Sequence, residues 1–385
     1  MRDGWRVLTL GAVCTISKGT SPTQKTQPGP YPLIVTGPQP LSSDTFQFEG
    51  EAVCVPLVSS TGHGHASLKR VHYARGKFAV ANIIAACSPR EANELDARYL
   101  FLYLQQYKDA EIVTRMKGTA NVSLSLTNLA SVPVILPPLD EQRRIVDLIA
   151  AIDTAAKAAE EEAAASIHVW RDISRSSGAS QPKVAIGDLV TVAKSGGTPS
   201  RTVASNFNGS IPWLKSGEVR GREIRSTEEC ISESALASSA TWLVPAGAVL
   251  IAMYGATAGQ VGQAAAPLAT NQAVLALLAD TSVVSQDLLF HIIAAAADDL
   301  KAKAIGAAQP NISKKIVVAH EVAVAPFQDQ SALVGMLNSL FDAADAARAT
   351  AESLRKMRSD LLTVLLSGEY EIPSSYDGLL KGDAA

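Results

Sequence analysis

The most regular pattern in the chain is an apolar stripe that follows a double proline. Beyond Pro137 and Pro138, apolar residues recur at three- and four-residue steps, the spacing that places side chains on one face of an α-helix. Asp140 and Glu141 stand in the first turn, where carboxylates complement the helix dipole. The pattern predicts a helix that runs to about Arg175, roughly 50 Å at 1.5 Å per residue. The stripe comprises Ile145, Leu148, Ile149, Ile152, Ala156, Ala159, Ala163, Ile167 and Trp170.

A second stripe with the same spacing follows Pro326 and predicts a second long helix. Gly368 is a typical helix C-cap, and Pro373 lies beyond it. From Ser374 onward we expect a frayed tail. The second stripe comprises Leu333, Met336, Leu337, Leu340, Phe341, Ala344, Ala347, Ala351, Leu354, Met357, Leu361, Leu362 and Leu365.

Both predicted helices have an alanine-rich middle, at Ala155–Ala165 and Ala343–Ala351. Antiparallel pairing brings these middles together, and small side chains allow a close approach of the two axes. We therefore predict an antiparallel coiled coil that holds globular domains apart. The alternative, in which each helix packs only on its own domain, is disfavoured because the stripes are longer than one small domain can cover.

The segments before the helices have a different pattern. Short β-branched runs, such as Tyr31–Val35, Ala52–Val55 and Phe78–Ile84, are separated by Gly, Pro and Ser clusters. A helix opened by the acidic N-cap Asp96 and a closing strand at Val132–Leu136 complete a mixed domain. The predicted fold class is α+β, with mixed α/β domains at 1–137 and 177–325, spacer helices at 138–176 and 326–368, and a tail at 369–385.

The chain also repeats itself, which predicts an internal pseudo-twofold. A protein with this symmetry suits a partner with similar symmetry, such as duplex DNA. The repeated segments are Gly118-Thr119-Ala120 with Pro138-Leu139-Asp140-Glu141-Gln142 and Gly306-Ala307-Ala308 with Pro326-Phe327-Gln328-Asp329-Gln330, and Leu10-Gly11-Ala12-Val13 with Lys18 and Ile186-Gly187-Asp188-Leu189 with Lys194.

Composition is that of an ordinary globular protein: 385 residues, 47% hydrophobic and 18% charged. The four cysteines have no paired spacing, and no apolar run reaches the length of a membrane span. The N-terminus does not resemble a signal peptide. We therefore expect a cytoplasmic protein.

Charge is distributed unevenly although the net charge is only −3. The helical stretch 140–172 has eight acids and four bases, whereas the stretch 181–225 has seven bases and three acids. Local charge decides where a polyanion can lie, so the second stretch is a candidate DNA surface. Ordinary solvated faces are the alternative.

Motifs of catalysis are missing. The chain has no phosphate-binding Gly-x-x-x-x-Gly-Lys-Ser/Thr loop, and its double proline lacks the context of an adenine methyltransferase motif. His63-Gly64-His65 could hint at a metal, but a solvent loop is favoured because no cysteine or carboxylate stands at ligand spacing. We expect neither an enzyme nor a metal site in this chain.

Taken together, these segments resemble the specificity (S) subunit of type I restriction-modification systems. In that family two target-recognition domains are each followed by a spacer helix that begins with Pro-Pro-Leu-x-Glu-Gln. The matching segments are Pro137–Gln142 and the looser Pro326–Gln330, together with Lys194–Pro199, Ile211–Glu218, Met253–Gly259, Thr270–Gln272 and Gln309–Ser313 in the second domain. The first domain departs from the pattern, with Ser59–His63 in place of the Gly-Ala-Thr-x-Gly segment.

The resemblance implies a DNA-binding, non-catalytic subunit. Its loops would enter the major groove, with Lys and Arg on phosphates and polar side chains on bases. For most candidates, a turn or a core contact is nearly as plausible a role. The candidate DNA-binding residues are Lys18, Thr20, Ser60, Thr61, His63, Lys117 and Asn121 in the first domain, and Lys194, Thr198, Arg201, Lys215, Ser216, Tyr254, Thr257 and Asn311 in the second.

The resemblance further implies a bipartite, asymmetric DNA site and two docked copies of a modification (methyltransferase) subunit. S-adenosylmethionine would bind to that partner and not to this chain, and restriction subunits could join the complex. Two alternatives stay open. One is a protein–protein scaffold that binds no nucleic acid, and the other is the recognition arm of a fused restriction-methylation enzyme.

Overall fold

The computed structural model describes residues 2, 4–61, 64–119, 121–304 and 311–377. The chain divides into two compact units. Unit 1 consists of Met1–Lys157 with Ala351–Ala385, and unit 2 consists of Ala158–Thr350. Each of two long helices therefore contributes one part of its length to each unit.

The segment before the first long helix is a mixed domain. Its elements are β1 (Arg6–Thr9), α1 (Leu10–Val13), β2 (Cys14–Lys18), β3 (Tyr31–Ile34), β4 (Leu41–Ser43), β5 (Phe48–Pro56), β6 (His72–Val80), β7 (Ile84–Pro89), α2 (Ala97–Tyr107), α3 (Leu126–Ala130) and β8 (Pro133–Leu136). A six-stranded sheet has the order β2-β7-β5-β6-β3-β4, in which β3 is parallel to β6. Strands β1 and β8 form a separate antiparallel pair.

The first long helix, α4 (Leu139–Ser176), leads into a second mixed domain. The elements that follow are β9 (Val184–Ala185), β10 (Val190–Ser195), β11 (Ile211–Leu214), β12 (Glu223–Ile224), β13 (Glu229–Ile231), α5 (Glu233–Ser238), β14 (Leu243–Val244), β15 (Val249–Ala252), β16 (Val261–Ala264), β17 (Leu268–Thr270), β18 (Val274–Ala279), α6 (Gln286–Ala295), α7 (Ala297–Ala302), α8 (Lys314–Val318), β19 (Glu321–Val322) and the second long helix, α9 (Gln330–Leu366). The sheets have the orders β10-β18-β15-β16-β12 and β13-β11-β17-β14, and β9 pairs with β19.

Both predicted long helices are present, and two details differ from the prediction. A 3₁₀ turn at Phe327–Asp329 precedes α9, because the chain leaves Pro326 with a ψ of 142° that is not helical. The second difference is in the tail, which we predicted to be frayed: up to Asp377, the last described residue, it packs against unit 1. Ile372 is buried, and the guanidinium of Arg144 binds both carboxylate oxygens of Asp377 at 2.6 and 3.1 Å.

In unit 1 the beginning of α4 packs with the end of α9. Ile145 and Ile149 of α4 share a core with α2 and with Leu362 and Leu365 of α9. Farther along α4, Asp153 forms an ion pair with Arg358 of α9, 2.6 Å apart. Within this unit the two helix segments are therefore antiparallel.

In unit 2 the arrangement is reversed, with the end of α4 beside the beginning of α9. Leu333 and Leu337 of α9 share a core with α6 and with Trp170 of α4. Ala159 and Ala163 of α4 are buried, as are Ala344 and Ala347 of α9. Burial of these alanines agrees with the predicted antiparallel packing of small residues.

The first glutamine of the repeated helix-start motif, Gln142, fastens α4 to its domain. Its side chain is fully buried. The amide nitrogen donates to the carbonyls of Pro137 and Glu94 at 2.9 and 2.8 Å, and the amide oxygen accepts the backbone N–H of Asp96 at 2.9 Å. Asp96 is the N-cap of α2. One side chain thus joins the start of the long helix to the start of α2.

Gln330 repeats this joint in unit 2. Its amide nitrogen donates to the carbonyls of Ala325 and Val283 at 3.1 and 2.9 Å, and its oxygen accepts the N–H of Ser285 at 2.9 Å. Ser285 is the N-cap of α6. The sequence repeat is therefore also a repeat of hydrogen bonds, because the same amide satisfies equivalent backbone groups in both units.

A buried polar chain crosses the helix junction of unit 2. The indole Nε1 of Trp170 donates to Nδ1 of His291 at 2.9 Å, and Nε2 of His291 lies 2.8 Å from Oδ1 of Asn338. This pattern requires a neutral imidazole that carries its proton on Nε2. Burial lowers the pKa of His291 to about 4. Phe341 packs edge-on against Trp170, with 5.3 Å between the ring centroids.

Candidate nucleic-acid interface

In unit 1 the loops that follow β2 and β5 meet beside the start of β7. Beyond Lys18, the last residue of β2, the N–H of Gly19 donates to the carbonyl of Ile84 at 2.8 Å. The N–H of Leu57, beyond β5, donates to the carbonyl of Ile83 at 2.8 Å. Side chains from these two loops can therefore act on the same ligand.

Thr20 lies in the first of these loops and is held by Gln47. The amide nitrogen of Gln47 donates to the hydroxyls of Thr20 and Ser21, each at 2.6 Å. Its amide oxygen accepts the backbone N–H groups of Thr20 at 3.2 Å and Val80 at 3.4 Å. Thr20 itself is exposed, so the contacts leave part of its hydroxyl open to solvent.

The loop after β5 packs beside the loop that carries Lys117 and Asn121. The N–H of Ser59 donates to the carbonyl of Val122 at 3.0 Å, and Lys117 is bridged to Ser123. Lys117 and Asn121 are both exposed. Two segments separated by more than fifty residues thus form one surface.

Ser60 and Thr61 belong to the same surface, but their hydroxyls are engaged internally. Ser60 Oγ accepts the N–H of Lys69 at 3.1 Å, and Thr61 Oγ1 lies 2.9 Å from Ser67 Oγ. Both residues are exposed. His63, also a candidate from sequence, lies outside the described residues.

In unit 2 the end of β10 leads to a similar loop. Lys194 is exposed, and its ammonium lies 5.1 Å above the ring of Trp242. Thr198 is exposed, and its hydroxyl donates to Oε1 of Gln272 in the turn between β17 and β18. A side chain from another segment therefore orients the loop threonine in both units.

Asn311 stands beside the loop after β15. Its backbone is bridged to Tyr254, which is 41% exposed. The Oδ1 atom of Asn311 is buried and has no hydrogen-bond partner among the described residues. Nearby, the hydroxyl of Thr257 donates to the carbonyl of Ser216 at 2.9 Å. Four of the predicted residues are thus brought together in two pairs.

Arg201 and Lys215 share a carboxylate. Arg201 lies 2.7 Å from Glu229 and stacks over the ring of Phe207, and Lys215 contacts Glu229 at 3.4 Å and Glu228 at 2.7 Å. The hydrogen bond to Glu228 raises the pKa of Lys215, and the hydrogen bond from Arg201 lowers the pKa of Glu229. Local carboxylates therefore offset much of the positive charge of both cations.

The basic stretch 181–225 is less positive in the fold than in the sequence. Besides Arg201 and Lys215, Arg222 pairs with Asp342 at 3.0 Å and Arg225 pairs with Glu223. The other three bases, Lys183, Lys194 and Arg220, are exposed. The field that a polyanion would meet comes mainly from these three residues.

Sequence reasoning did not single out Gln47 or Trp242, which position candidate side chains. Gln47 has no motif around it, and its role depends on contacts with residues far away in sequence. Trp242 is equally without a local signal. Gln272 was part of a motif that resembles the family, but its contact with Thr198 was not predictable from spacing.

Three further observations concern possible metal ligands, membrane spans and thiols in the described part of the chain. No group of three His, Cys, Asp or Glu side chains there is arranged to hold a metal ion. None of the helices in the described ranges has the apolar stretch needed to cross a bilayer. Cys14, Cys54 and Cys87 are buried free thiols, and burial raises the pKa of Cys14 and Cys54 to about 12.

Comparison with known proteins identifies the repeated unit. The model of the type I restriction modification DNA specificity domain matches residues 2–167 and again residues 181–353. A curated relative from Escherichia coli, the type I restriction enzyme EcoR124I/EcoR124II specificity subunit, is 27% identical over 149 residues. That match covers 37% of this chain and spans 37% of the length of the relative.

Two solved structures have a similar fold. The crystal structure of a type I restriction-modification S subunit from M. genitalium matches with a TM-score of 0.63 and 16% identity, covering 94% of this chain and 96% of that one. A structure from work on complex assembly and conformational transition of the type I restriction-modification system matches with a TM-score of 0.54 and 17% identity, over 96% and 99% of the two chains. Both likenesses support the predicted fold of mixed domains with two long helices.

The family match accounts for the repeat. Each copy of the matched domain includes one mixed domain and the larger part of the long helix that follows it. S subunits are the non-catalytic, DNA-recognising members of their complexes, which agrees with the predicted class. The chain belongs to the family of type I restriction-modification DNA specificity subunits, and it contains the family domain twice.

Proposed function

We propose that this chain selects the DNA sequence on which a type I restriction-modification complex acts. Residues 1–137 and 177–325 serve as two target-recognition domains, and each reads one half of a bipartite, asymmetric site. The observation that carries the proposal is the duplicated family domain, whose two copies present different polar loops. Val58 is bridged to Ser123 in unit 1, and Tyr254 is bridged to Asn311 at the corresponding place in unit 2.

Recognition rests on a division of labour between charged and polar side chains. Exposed Lys18, Lys117 and Lys194 bind phosphates and fix the register of each domain on the duplex. Thr20 and Thr198 lie in the loops that read base edges in the major groove, where the four base pairs are distinguishable. Arg201 and Lys215 act on DNA only if phosphate competes with the carboxylate of Glu229.

The helical segments 138–176 and 326–368 serve as spacers between the half-sites. They also provide equivalent docking surfaces for two copies of a modification subunit. That partner binds S-adenosylmethionine and flips the target adenine out of the duplex. Restriction subunits join the same assembly in the cytoplasm.

A modified-base map of cellular DNA tests the proposal. Cells carrying this gene and its methyltransferase partner are compared with cells that lack this gene alone. We expect a bipartite adenine-methylated motif that disappears in the deletion. Unchanged methylation, with both proteins expressed and associated, would contradict the proposal and favour a scaffold that binds no DNA. Retention of the complex on duplex DNA with a steep salt dependence provides an independent check.

A further inference from the structure

The amide of Gln47 can adopt only one of its two orientations. Its oxygen lies 3.2 Å from the backbone nitrogen of Thr20 and 3.4 Å from that of Val80, and both of these N–H groups can only donate. The amide nitrogen must therefore face the other side. There it donates one hydrogen to Thr20 Oγ1 and the other to Ser21 Oγ, each at 2.6 Å.

This orientation decides what the hydroxyl of Thr20 can offer. Because Oγ1 accepts a hydrogen from Gln47, the hydroxyl proton of Thr20 is not used in that contact. Thr20 is exposed, whereas Ser21 is only 6% exposed. Of the two hydroxyls held by Gln47, the one on Thr20 can thus reach a ligand, and its proton is available for donation beside the second lone pair of Oγ1.

The backbone around Thr20 is equally fixed. A Cβ atom at Gly19 would collide with the carbonyl oxygens of Val80 and Ala81, so only glycine allows this close approach. The N–H of Ser21 donates to the carbonyl of Val80 at 3.2 Å. A hydroxyl held on both sides in this way loses little freedom on binding, which favours a role in discrimination.

We propose that Gln47 is a positioning residue for sequence discrimination, which makes Thr20 a hydrogen-bond donor to an acceptor atom on a base edge. This inference rests on the proposed DNA-binding function. In the major groove the acceptor atoms are N7 and O6 of guanine, N7 of adenine and O4 of thymine. Two exposed lysines belong to the same neighbourhood: Lys18 stands two residues before Thr20, and Lys77 lies over the ring of Phe46, which precedes Gln47.

Unit 2 uses the opposite polarity. There the hydroxyl of Thr198 donates to the amide oxygen of Gln272, so its proton is engaged and its remaining lone pairs face outward. The same residue type, in the loop after the corresponding strand, thus has a free hydroxyl proton in one half of the protein and an engaged one in the other. The glutamine partner sets this difference.

A single substitution reverses the polarity in unit 1. In Gln47→Glu, one carboxylate oxygen still accepts the N–H groups of Thr20 and Val80, and the other now accepts the hydroxyl proton of Thr20. Thr20 is then left as an acceptor, which suits N6 of adenine or N4 of cytosine. We expect one position of one half-site to change its base preference about tenfold in favour of these bases, since a wrong base pair commonly costs that much or more.

The experiment is a modified-base map of cells that express the full complex with wild-type chain, Gln47→Glu, Thr20→Val or Gln39→Glu. Gln39→Glu is the matched control: it adds the same charge at an exposed position of unit 1, outside the contacts that hold Thr20, so the recognised bases stay the same. Thr20→Val keeps the shape and removes the hydroxyl, and we expect relaxed preference at the position that Gln47→Glu changes.

The outcomes separate the inference from the proposed function. If deletion of the gene leaves methylation unchanged, the proposed function is wrong, and this inference with it. If deletion abolishes the motif but Thr20→Val and Gln47→Glu both leave every base preference intact, only the inference is overturned. A lower unfolding temperature of Gln47→Glu with an unchanged methylated motif would also overturn the inference, because Gln47 would then contribute only to stability.

Discussion

The two units share the glutamine joint, formed by Gln142 in unit 1 and by Gln330 in unit 2, but different side chains pack beside it. Phe341 stands as far beyond Gln330 as Asp153 stands beyond Gln142. Across from Phe341 lies Trp170 in a buried aromatic contact, whereas across from Asp153 lies Arg358 in a partly exposed ion pair. The position of His291 on α6 corresponds to that of Leu102 on α2, counted from the helix N-caps.

The comparison separates the glutamine joints, which are the same in both units, from the side chains beside them, which differ. Gln142 and Gln330 bind backbone groups, and any change of these glutamines would leave buried main-chain atoms unpaired. The neighbouring residues Trp170, His291 and Phe341 make their contacts through side chains, so they can change as a group. The junction of unit 2 is buried around the hydrogen-bond chain of Trp170, His291 and Asn338, and we call it the dry junction. The junction of unit 1 has the partly exposed ion pair of Asp153 and Arg358, and we call it the wetter junction.

Trp170→Ala should give the largest contrast between the units. It removes a buried ring and leaves Nδ1 of His291 without its donor, and we expect unit 2 to lose about 3–5 kcal/mol of unfolding free energy. Hydrogen exchange read by mass spectrometry reports each unit separately, through peptides from α6 and from α2. Equal losses of protection in both peptides would show that the junctions are not independent.

Removal of the joint glutamines should affect the two units alike. Gln142→Ala and Gln330→Ala each leave three buried backbone groups without partners, which we expect to cost about 2 kcal/mol or more. Local unfolding of unit 1 in the first variant and of unit 2 in the second is the readout. Leu148→Ala, at a half-buried position of α4 that packs against the core of unit 1, serves as a control for helix packing. A strongly unequal pair of losses would contradict the equivalence of the joints.

Acid should weaken unit 2 in a way that unit 1 does not share. The pKa of His291 is about 4 in the fold, below its ordinary value of 6.5, so the unfolded chain binds the proton first. The stabilisation is complete above pH 6.5 and is lost as the pH falls toward 4, by about 1 kcal/mol near pH 5.5.

The comparison for this prediction is His291→Gln, which cannot titrate. Protection of α6 is measured across that pH range in wild type and variant, and the difference isolates the histidine from the carboxylates. A variant whose stability falls with acid as steeply as that of the wild type would show that His291 is not the cause.

Arg358→Ala should have the smallest effect. Arg358 and Asp153 are 29% and 51% exposed, and such pairs contribute less than about 1 kcal/mol. We expect a barely measurable change in protection of α2. If the loss approached that of Trp170→Ala in unit 2, the wetter junction would be as stabilising as the dry one.

The sequence allowed the long helices to be predicted because periodicity and proline are local signals. It also predicted the N-cap Asp96 and the C-cap Gly368, where φ is +76°. It did not predict the hydrogen-bond chain from Trp170 through His291 to Asn338, because three distant segments must first be folded together.

For the candidate interface, the sequence likewise indicated the local segments but not the contacts between distant ones. Family resemblance pointed to the loops that carry Thr20, Thr198 and Asn311, because the spacing of motifs can be read directly from the sequence. The polarity of each hydroxyl depends on a partner elsewhere in the chain, as with Gln47 and Gln272. Whether Arg201 is free to bind phosphate depends on Glu229, which no local pattern reveals.

The joint glutamines have a consequence for how such a protein can change over generations. Because the amides of Gln142 and Gln330 form their hydrogen bonds with backbone carbonyl and N–H groups, these bonds do not depend on the side chains of the domain that they anchor. Any domain whose chain brings the same backbone to the same place completes the connection. A gene rearrangement that exchanges a whole domain between these boundaries would therefore preserve the joint, and under the proposed function it would change the recognised DNA sequence.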